Sequence, residues 1–217
     1  INMIQTRSGR IIVPVQRLLY DPGRHGQATY ASDDLGLTWR RSNVIDFGGH
    51  GHHDGVCEGA LVELRDGRVW MLLRTNMERF WQAFSDDGGL SWRILLPTEI
   101  DASSAPAYVA RLASGRLIMA WNRAYPEGLP AEGRAVFPRR GGDCNLSERP
   151  CSWQRQELSI SLSDDDGRSW TPPQVLIRQP DKGLAYPFIL ERRPGTIWVT
   201  TRFSERTGVW LREEDFL

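Results

Sequence analysis

The chain has 217 residues, 40% apolar and 10% aromatic, enough to bury a sizeable core; a disordered or low-complexity chain is excluded, and one folded unit over 1–217 is predicted. Its 27 basic and 27 acidic residues cancel, which argues against nucleic acid or a membrane surface as partner, since both call for clustered positive charge. Lys182 is the sole lysine, so nearly all of the positive charge sits on arginine, a rigid group suited to bidentate anion binding.

Residues 1–10 contain no signal-peptide core, and no segment approaches the ~18 apolar residues of a membrane span, which leaves a secreted or periplasmic location open. The first unit starts near Ile1. It reads as an apolar run, a glycine turn at Ser8-Gly9-Arg10, a second run carrying Gln16 and Arg17, and an alternating piece at 28–31. It closes on Ser32-Asp-Asp-Leu-Gly-Leu-Thr-Trp39. The loop that follows, Gly48-Gly-His-Gly-His-His-Asp-Gly55, places His50, His52, His53 and Asp54 close together. Neighbouring His52 and His53 point opposite ways on an extended chain, and no partner cluster exists elsewhere. A loop over a binding rim, with a histidine or Asp54 touching ligand, is expected rather than a metal site.

The same order recurs. A unit starting near Gly59 has strands at 60–64 and 69–73 around Asp66-Gly67-Arg68, then 81–84, the box Ser85-Asp-Asp-Gly-Gly-Leu-Ser-Trp92, and 92–96. A third starts near Ala107, turns at Ser114-Gly115-Arg116, and carries 117–121 and 158–162 before Ser163-Asp-Asp-Asp-Gly-Arg-Ser-Trp170. Residues 125–150, rich in Gly, Pro and Arg, interrupt it as a long inserted surface loop. Within that region Cys144 and Cys151 are spaced to close a small disulfide loop in an oxidising compartment, with Cys57 left as a buried thiol. The last unit starts near Pro187, turns at Pro194-Gly195-Thr196 and ends in a strand at 208–211 without a box.

Three copies of S-x-D-x-G-x-[ST]-W are a repeat. Asp34, Asp87 and Asp165 are suited to accept hydrogen bonds from their own turn amides. Gly36, Gly89 and Gly167 supply a positive-φ position, and the tryptophan packs the turn down. With the upstream glycine turns, each unit becomes a four-stranded antiparallel meander, the blade of a β-propeller; no helix is required. About three and a half blades are present where closed propellers use four to eight, so further blades or a second chain are expected to close the ring.

Blade geometry sorts the polar residues. Starts of first strands, ends of second strands and starts of third strands share one face, and the boxes lie on the other. That rim collects Gln16, Arg17, Glu58, Arg74, Asn122, Arg123, Arg155, Tyr186 and Arg202. Clustered guanidinium groups beside a carboxylate and a tyrosine outline an anion-recognition site; no cofactor or metal is implied.

The boxes match the signature of the sialidases (neuraminidases), and the chain resembles that superfamily, whose fold is an all-β six-bladed β-propeller. Cys57-Glu-Gly-Ala-Leu-Val-Glu-Leu-Arg-Asp-Gly-Arg-Val-Trp-Met-Leu-Leu-Arg74, followed by the box at Ser85, is similar to the family's glutamate and arginine. Ser152-Trp-Gln-Arg155 and Ala185-Tyr186 are similar to its next arginine and its tyrosine nucleophile. The resemblance implies an exo-acting, retaining glycoside hydrolase for terminal acidic sugars. Tyr186 would be the nucleophile, Glu58 its base, and Arg74 and Arg155 would be substrate-binding; the blade geometry adds Arg123 and Arg202, and the loop over the rim adds Asp54, as further substrate-binding candidates. The family's first arginine and its aspartate acid/base, from the opening blades, have no match, and by order the chain covers roughly the last 60% of such a propeller. An isolated chain of this span is expected not to hydrolyse sialosides efficiently. Two rival readings use the same rim: a non-catalytic propeller binding a glycan or protein, and a glycosidase of this fold for another sugar. Catalysis requires Tyr186 and Glu58 within ~2.6–3.2 Å of each other, whereas binding does not.

Overall fold

The computed structural model describes residues 2–19, 23–49, 53–129, 134–135, 151–180, 182–201, 203–204 and 207–216. These form four antiparallel blades. The first contains β1 (Ile4–Gln5), β2 (Ile11–Leu19), β3 (Arg24–Ser32) and β4 (Arg40–Arg41). The second contains β5 (Cys57–Glu63), β6 (Val69–Arg74), β7 (Arg79–Ser85) and β8 (Ile94–Asp101). The third pairs β9 (Tyr108–Arg111) with β10 (Leu117–Trp121), and the residues after β10 include β11 (Arg134–Ala135), paired with β12 (Cys151–Ser152). The third blade then finishes with β13 (Glu157–Ser163) and β14 (Gln174–Arg178). After β15 (Leu184–Ala185) comes the three-stranded fourth blade of β16 (Phe188–Arg193), β17 (Thr196–Thr200) and β19 (Gly208–Arg212), and β18 (Phe203–Ser204) pairs with β15. The predicted three and a half blades are thus three complete meanders and one of three strands.

The cores lie between blades, and strand alternation builds them. On β6, Val69, Met71 and Leu73 pack with Ile12 of the first blade, while Trp70 and Leu72 pack with Val109, Met119 and Trp121 of the third. On β10 the intervening Ile118 and Ala120 face Ile189, Ile197 and Val199 of the fourth. Because β6 and β10 are buried on both faces, they read as the unbroken apolar runs 69–73 and 117–121. Asn2 ties the inner strands: its side chain donates to the carbonyls of Leu61 (2.7 Å) and Val109 (3.1 Å) and accepts from the Leu61 amide at 2.7 Å.

The three boxes are hairpin turns of one design. Asp34 Oδ1 accepts the Thr38 amide at 2.9 Å, Asp87 Oδ1 the Ser91 amide at 2.8 Å, and Asp165 Oδ1 the Ser169 amide at 2.9 Å. Gly36, Gly89 and Gly167 have φ of 92°, 83° and 82°. The hydrogen bonds that each carboxylate accepts hold Asp34, Asp87 and Asp165 down at about 2, against burial in the case of Asp87. The tryptophans pack on their turns but differ in burial: Trp92 is buried, whereas Trp39 is 41% exposed and donates to the Gly36 carbonyl of its own turn at 3.0 Å.

Two expectations change. A short 3-10 turn, Glu213–Phe216, follows the last strand, its Glu213 buried against Ser114 and Arg116 of the third blade. Cys151 is a buried free thiol rather than half of a disulfide; Cys144, its expected partner, lies outside the described residues. Among the described residues no helix is long and apolar enough to cross a membrane.

Candidate functional site

The rim opposite the boxes gathers residues from three blades. Its centre is built by a bulge. Cys57 pairs with Arg74 and Ala60 with Leu72, so Glu58 and Gly59 together oppose Leu73. The extra residue puts Glu58 in the left-handed region, at φ 47°. Gly59 is required there, because a Cβ would sit 2.6 Å from the Met71 sulfur. Its amide donates to Gln27 Oε1 of the first blade at 3.2 Å.

Tyr186 enters from the β15 ribbon, also left-handed at φ 58°, although the residue before a proline ordinarily stays extended. The ribbon is pinned to the third blade: the Leu184 amide donates to the Arg155 carbonyl at 2.6 Å, and its carbonyl accepts from Asn122 Nδ2 at 2.8 Å. The Tyr186 phenol donates to Glu58 Oε1 at 2.9 Å. The other carboxylate oxygen, Oε2, accepts from Arg74 Nη1. Two strained non-glycine residues that meet through their side chains are the kind of backbone outlier that clusters at functional sites.

Arg74 is 2% exposed. Its Nε and Nη2 both donate to Ser104 Oγ, at 3.2 and 3.0 Å, and that hydroxyl donates onward to Asn76 Oδ1 at 2.7 Å. The Ser104 carbonyl accepts from Arg155 Nη2 at 2.8 Å. Arg155 lies on the indole of Trp153, its guanidinium carbon 3.8 Å from the ring centroid, with Arg74 5.3 Å from the same ring. Two buried cations therefore share one half-buried indole plate.

The electrostatics follow. Burial opposes the charge on Arg74, but its acidic neighbours Cys57, Glu58 and Tyr186 outweigh that and hold the guanidinium above its ordinary value. Burial and the adjacent Arg74 charge push Arg155 down. Burial, reinforced by the Glu58 charge, raises the Tyr186 phenol, so it is neutral at pH 7. Burial pushes the Cys57 thiol up to about 11, which makes it unreactive.

Of the expected site residues, Glu58, Arg74, Arg155 and Tyr186 come together. Arg123 is held elsewhere on the rim, with its Nε 3.5 Å from Asp101 Oδ1. The reason is register. Seven residues after its turn glycine the second strand of each of the first three blades delivers Gln16, Arg74 or Asn122, so Arg123 is one position late and Asn122 takes the buried place. Arg202 lies outside the described residues. Asp54 belongs to the loop beside the first blade, where its carbonyl accepts the His25 amide at 2.8 Å. His53 of that loop stands edge-on to Trp153, ring centroids 5.7 Å apart, which brings the loop over the rim. His50 and His52 lie outside the described residues, and among those described no group of metal-ligating side chains forms.

Sequence reasoning passed over Ser104, Asn76 and Trp153. Trp153 stands inside the Ser152–Arg155 motif and could have been read as the plate for its arginine; Ser104, in an unremarkable Ala-Ser-Ser-Ala stretch, gives no such signal.

The family profile described as BNR repeat-like domain matches residues 1–199. Among solved structures, a protein of unknown function from Dyadobacter fermentans superposes with a TM-score of 0.67 at 18% identity, over 97% of this chain and 52% of that one. The NanB sialidase of Streptococcus pneumoniae (its K499G mutant) gives 0.67 at 20%, over 99% and 31%. The intramolecular trans-sialidase of Ruminococcus gnavus, in complex with oseltamivir carboxylate, gives 0.63 at 18%, over 99% and 43%. The chain thus spans about half the length of the first of these and less of the others. No curated protein matches it by sequence.

Proposed function

Since the chain belongs to the BNR repeat-like domain family and has the fold of sialidase propellers, we propose that the Glu58–Tyr186 rim is part of a retaining exo-glycosidase site for terminal acidic sugars. The observation that carries this reading is the 2.9 Å contact between the Tyr186 phenol and Glu58 Oε1. A binding surface needs no such pair, whereas a nucleophile and its base do.

The chemistry fits the charge. A sugar acid bearing its carboxylate on the anomeric carbon would set that group against Arg74 and Arg155, relieving the repulsion between two buried cations. An anionic nucleophile would be repelled by the same carboxylate; a neutral phenol is not. As the Tyr186 oxygen bonds to the anomeric carbon, its proton passes to Glu58 Oε1, and the bond to the leaving oxygen breaks. The leaving oxygen takes a proton from a general acid that these four residues do not supply. Water then attacks the anomeric carbon of the aryl glycoside and gives up a proton to the base left by that general acid, the bond to the Tyr186 oxygen breaks as the phenolate recovers its proton from Glu58, and the sugar leaves with retained configuration.

The test is binding followed by trapping. Free sialic acid added to the chain should cause saturable NMR shifts that weaken with salt and are lost in Arg155→Ala. A 2,3-difluorinated sialic acid should then add one glycosyl mass to Tyr186, and none to Tyr186→Phe. Binding without trapping, in a protein completed with any further blades it has, would favour the non-catalytic reading. No binding of any sugar acid would overturn the proposal.

A further inference from the structure

We propose that Ser104 is a positioning residue whose hydroxyl divides the Glu58 carboxylate between Arg74 and Tyr186. This rests on the reading of Tyr186 and Glu58 as nucleophile and base. An arginine facing a carboxylate tends to pair with it through two parallel N–H groups, which would engage both oxygens of Glu58. Here it does not. The Nε and Nη2 edge of Arg74 is turned onto Ser104 Oγ, leaving Nη1 to meet Glu58 end-on at Oε2 alone. Oε1 is thereby kept for the Tyr186 phenol.

The hydroxyl is itself oriented. It donates to Asn76 Oδ1 at 2.7 Å and, with the Cys151 thiol also against it, is left to accept from Arg74. The backbone around it is equally fixed: the Ser104 amide donates to the Ser152 carbonyl at 2.8 Å, and the Ser104 carbonyl accepts from Arg155 Nη2. One buried residue, 2% exposed, therefore sets the place of both guanidinium groups through its two ends. Removing the hydroxyl frees the Nε edge of Arg74 to swing onto Glu58 and draw Oε1 away from the phenol.

The experiment reads the phenol directly. Tyrosines labelled with 13C at Cζ are titrated by NMR in the wild-type chain and in Ser104→Ala, Ser104→Thr and Ser104→Cys, with Tyr186 assigned by its absence in Tyr186→Phe. The charged groups facing it are Glu58, Arg74 and Arg155, with the Cys57 thiol acting on Arg74 and the Cys151 thiol on Arg155. In Ser104→Ala the loss of the carboxylate partner should lower the Tyr186 midpoint by about one pH unit, and Ser104→Thr should restore it. Ser104→Cys keeps the volume with a poorer acceptor and should fall between. A Tyr186 midpoint unchanged in a folded Ser104→Ala, or in folded Ser104→Cys if the alanine variant does not fold, overturns the proposal. Failure of the chain to bind sugar acids would leave this titration intact, so the two ideas fail separately.

Discussion

Glu58 and Tyr186 lie 128 residues apart in sequence, both hold left-handed backbone conformations, and their side chains meet at 2.9 Å. Neither conformation is one the residue type favours; the bulge in β5 imposes the first and the pinned β15 ribbon the second. Relieving the strain at Tyr186 alone should therefore leave the fold intact while disturbing the contact. Tyr186→Gly is expected to melt close to wild type, since the lost packing and the relieved strain offset each other, and to abolish trapping by a fluorinated sugar acid. Thermal melts and intact mass on the same samples check both halves.

The Glu58–Arg74 pair sets the cost of losing the base. Arg74 is buried, and Glu58→Gln leaves its charge without a counter-ion, a change that costs about 3–5 kcal/mol in a buried pair. Glu58→Gln with Arg74→Met, which removes both charges, should recover most of that stability and none of the sugar-acid binding. Denaturant melts of the two variants decide it: equal losses in both would mean that the ion pair is not what stabilises this corner.

Much of this was readable in the chain, for a physical reason. A box is local, since its aspartate, serine and glycine act within one turn, so three boxes specify three hairpins and fix the blade phase. Once the phase is set, Glu58 and Arg74 fall on one rim. What escaped are groups whose role depends on a neighbouring blade: Ser104 reaches Arg74 and Arg155 from the link between the second and third blades, and nothing local marks it. Arg123 shows the other limit. Side chains alternate along a strand, so one residue decides whether an arginine enters the site or pairs with Asp101.

The boxes are not equivalent. Trp92 is buried, its Nε1 donates to Thr29 Oγ1 at 2.8 Å, and its backbone is held by Asn43, all on the first blade. Trp39 has no comparable seat. Asp87→Ala should therefore loosen the contact between the first and second blades and lower the melting temperature by several degrees, on the basis of ~1 kcal/mol per hydrogen bond lost and ~2–4 °C per kcal/mol at this size. Asp34→Ala should cost visibly less. Melting curves for the pair measure the order, and a larger loss at Asp34 would contradict it.

Glycine-turn arginines link successive blades on the box face. Arg10 Nη1 donates to the Asp87 carbonyl at 2.8 Å, and Arg65 Nη1 donates to the Asp164 carbonyl at 2.5 Å. Each reaches from one blade's turn to the next blade's box. Arg65→Ala should speed amide exchange in the third box, around Gly167 and Ser169, while the first box exchanges as before. Hydrogen exchange followed by mass spectrometry resolves the two regions.

Alkaline pH should weaken the fold through Cys57. Its thiol titrates near 9 when free and is pushed up to about 11 by burial. Because the folded value is the higher one, the contribution is complete below pH 9 and is lost as pH rises through 11. The size is about 2–3 kcal/mol by linkage. Tyr186 adds to it with the same sign, its phenol being raised from 10 by burial and by Glu58. Cys57→Ala removes the thiol's share at the expense of a small cavity, so it should be less stable than wild type at pH 8 yet lose less on going to pH 10.5. Chemical denaturation at the two pH values gives both slopes; parallel slopes would show that the thiol is not buried in the folded protein.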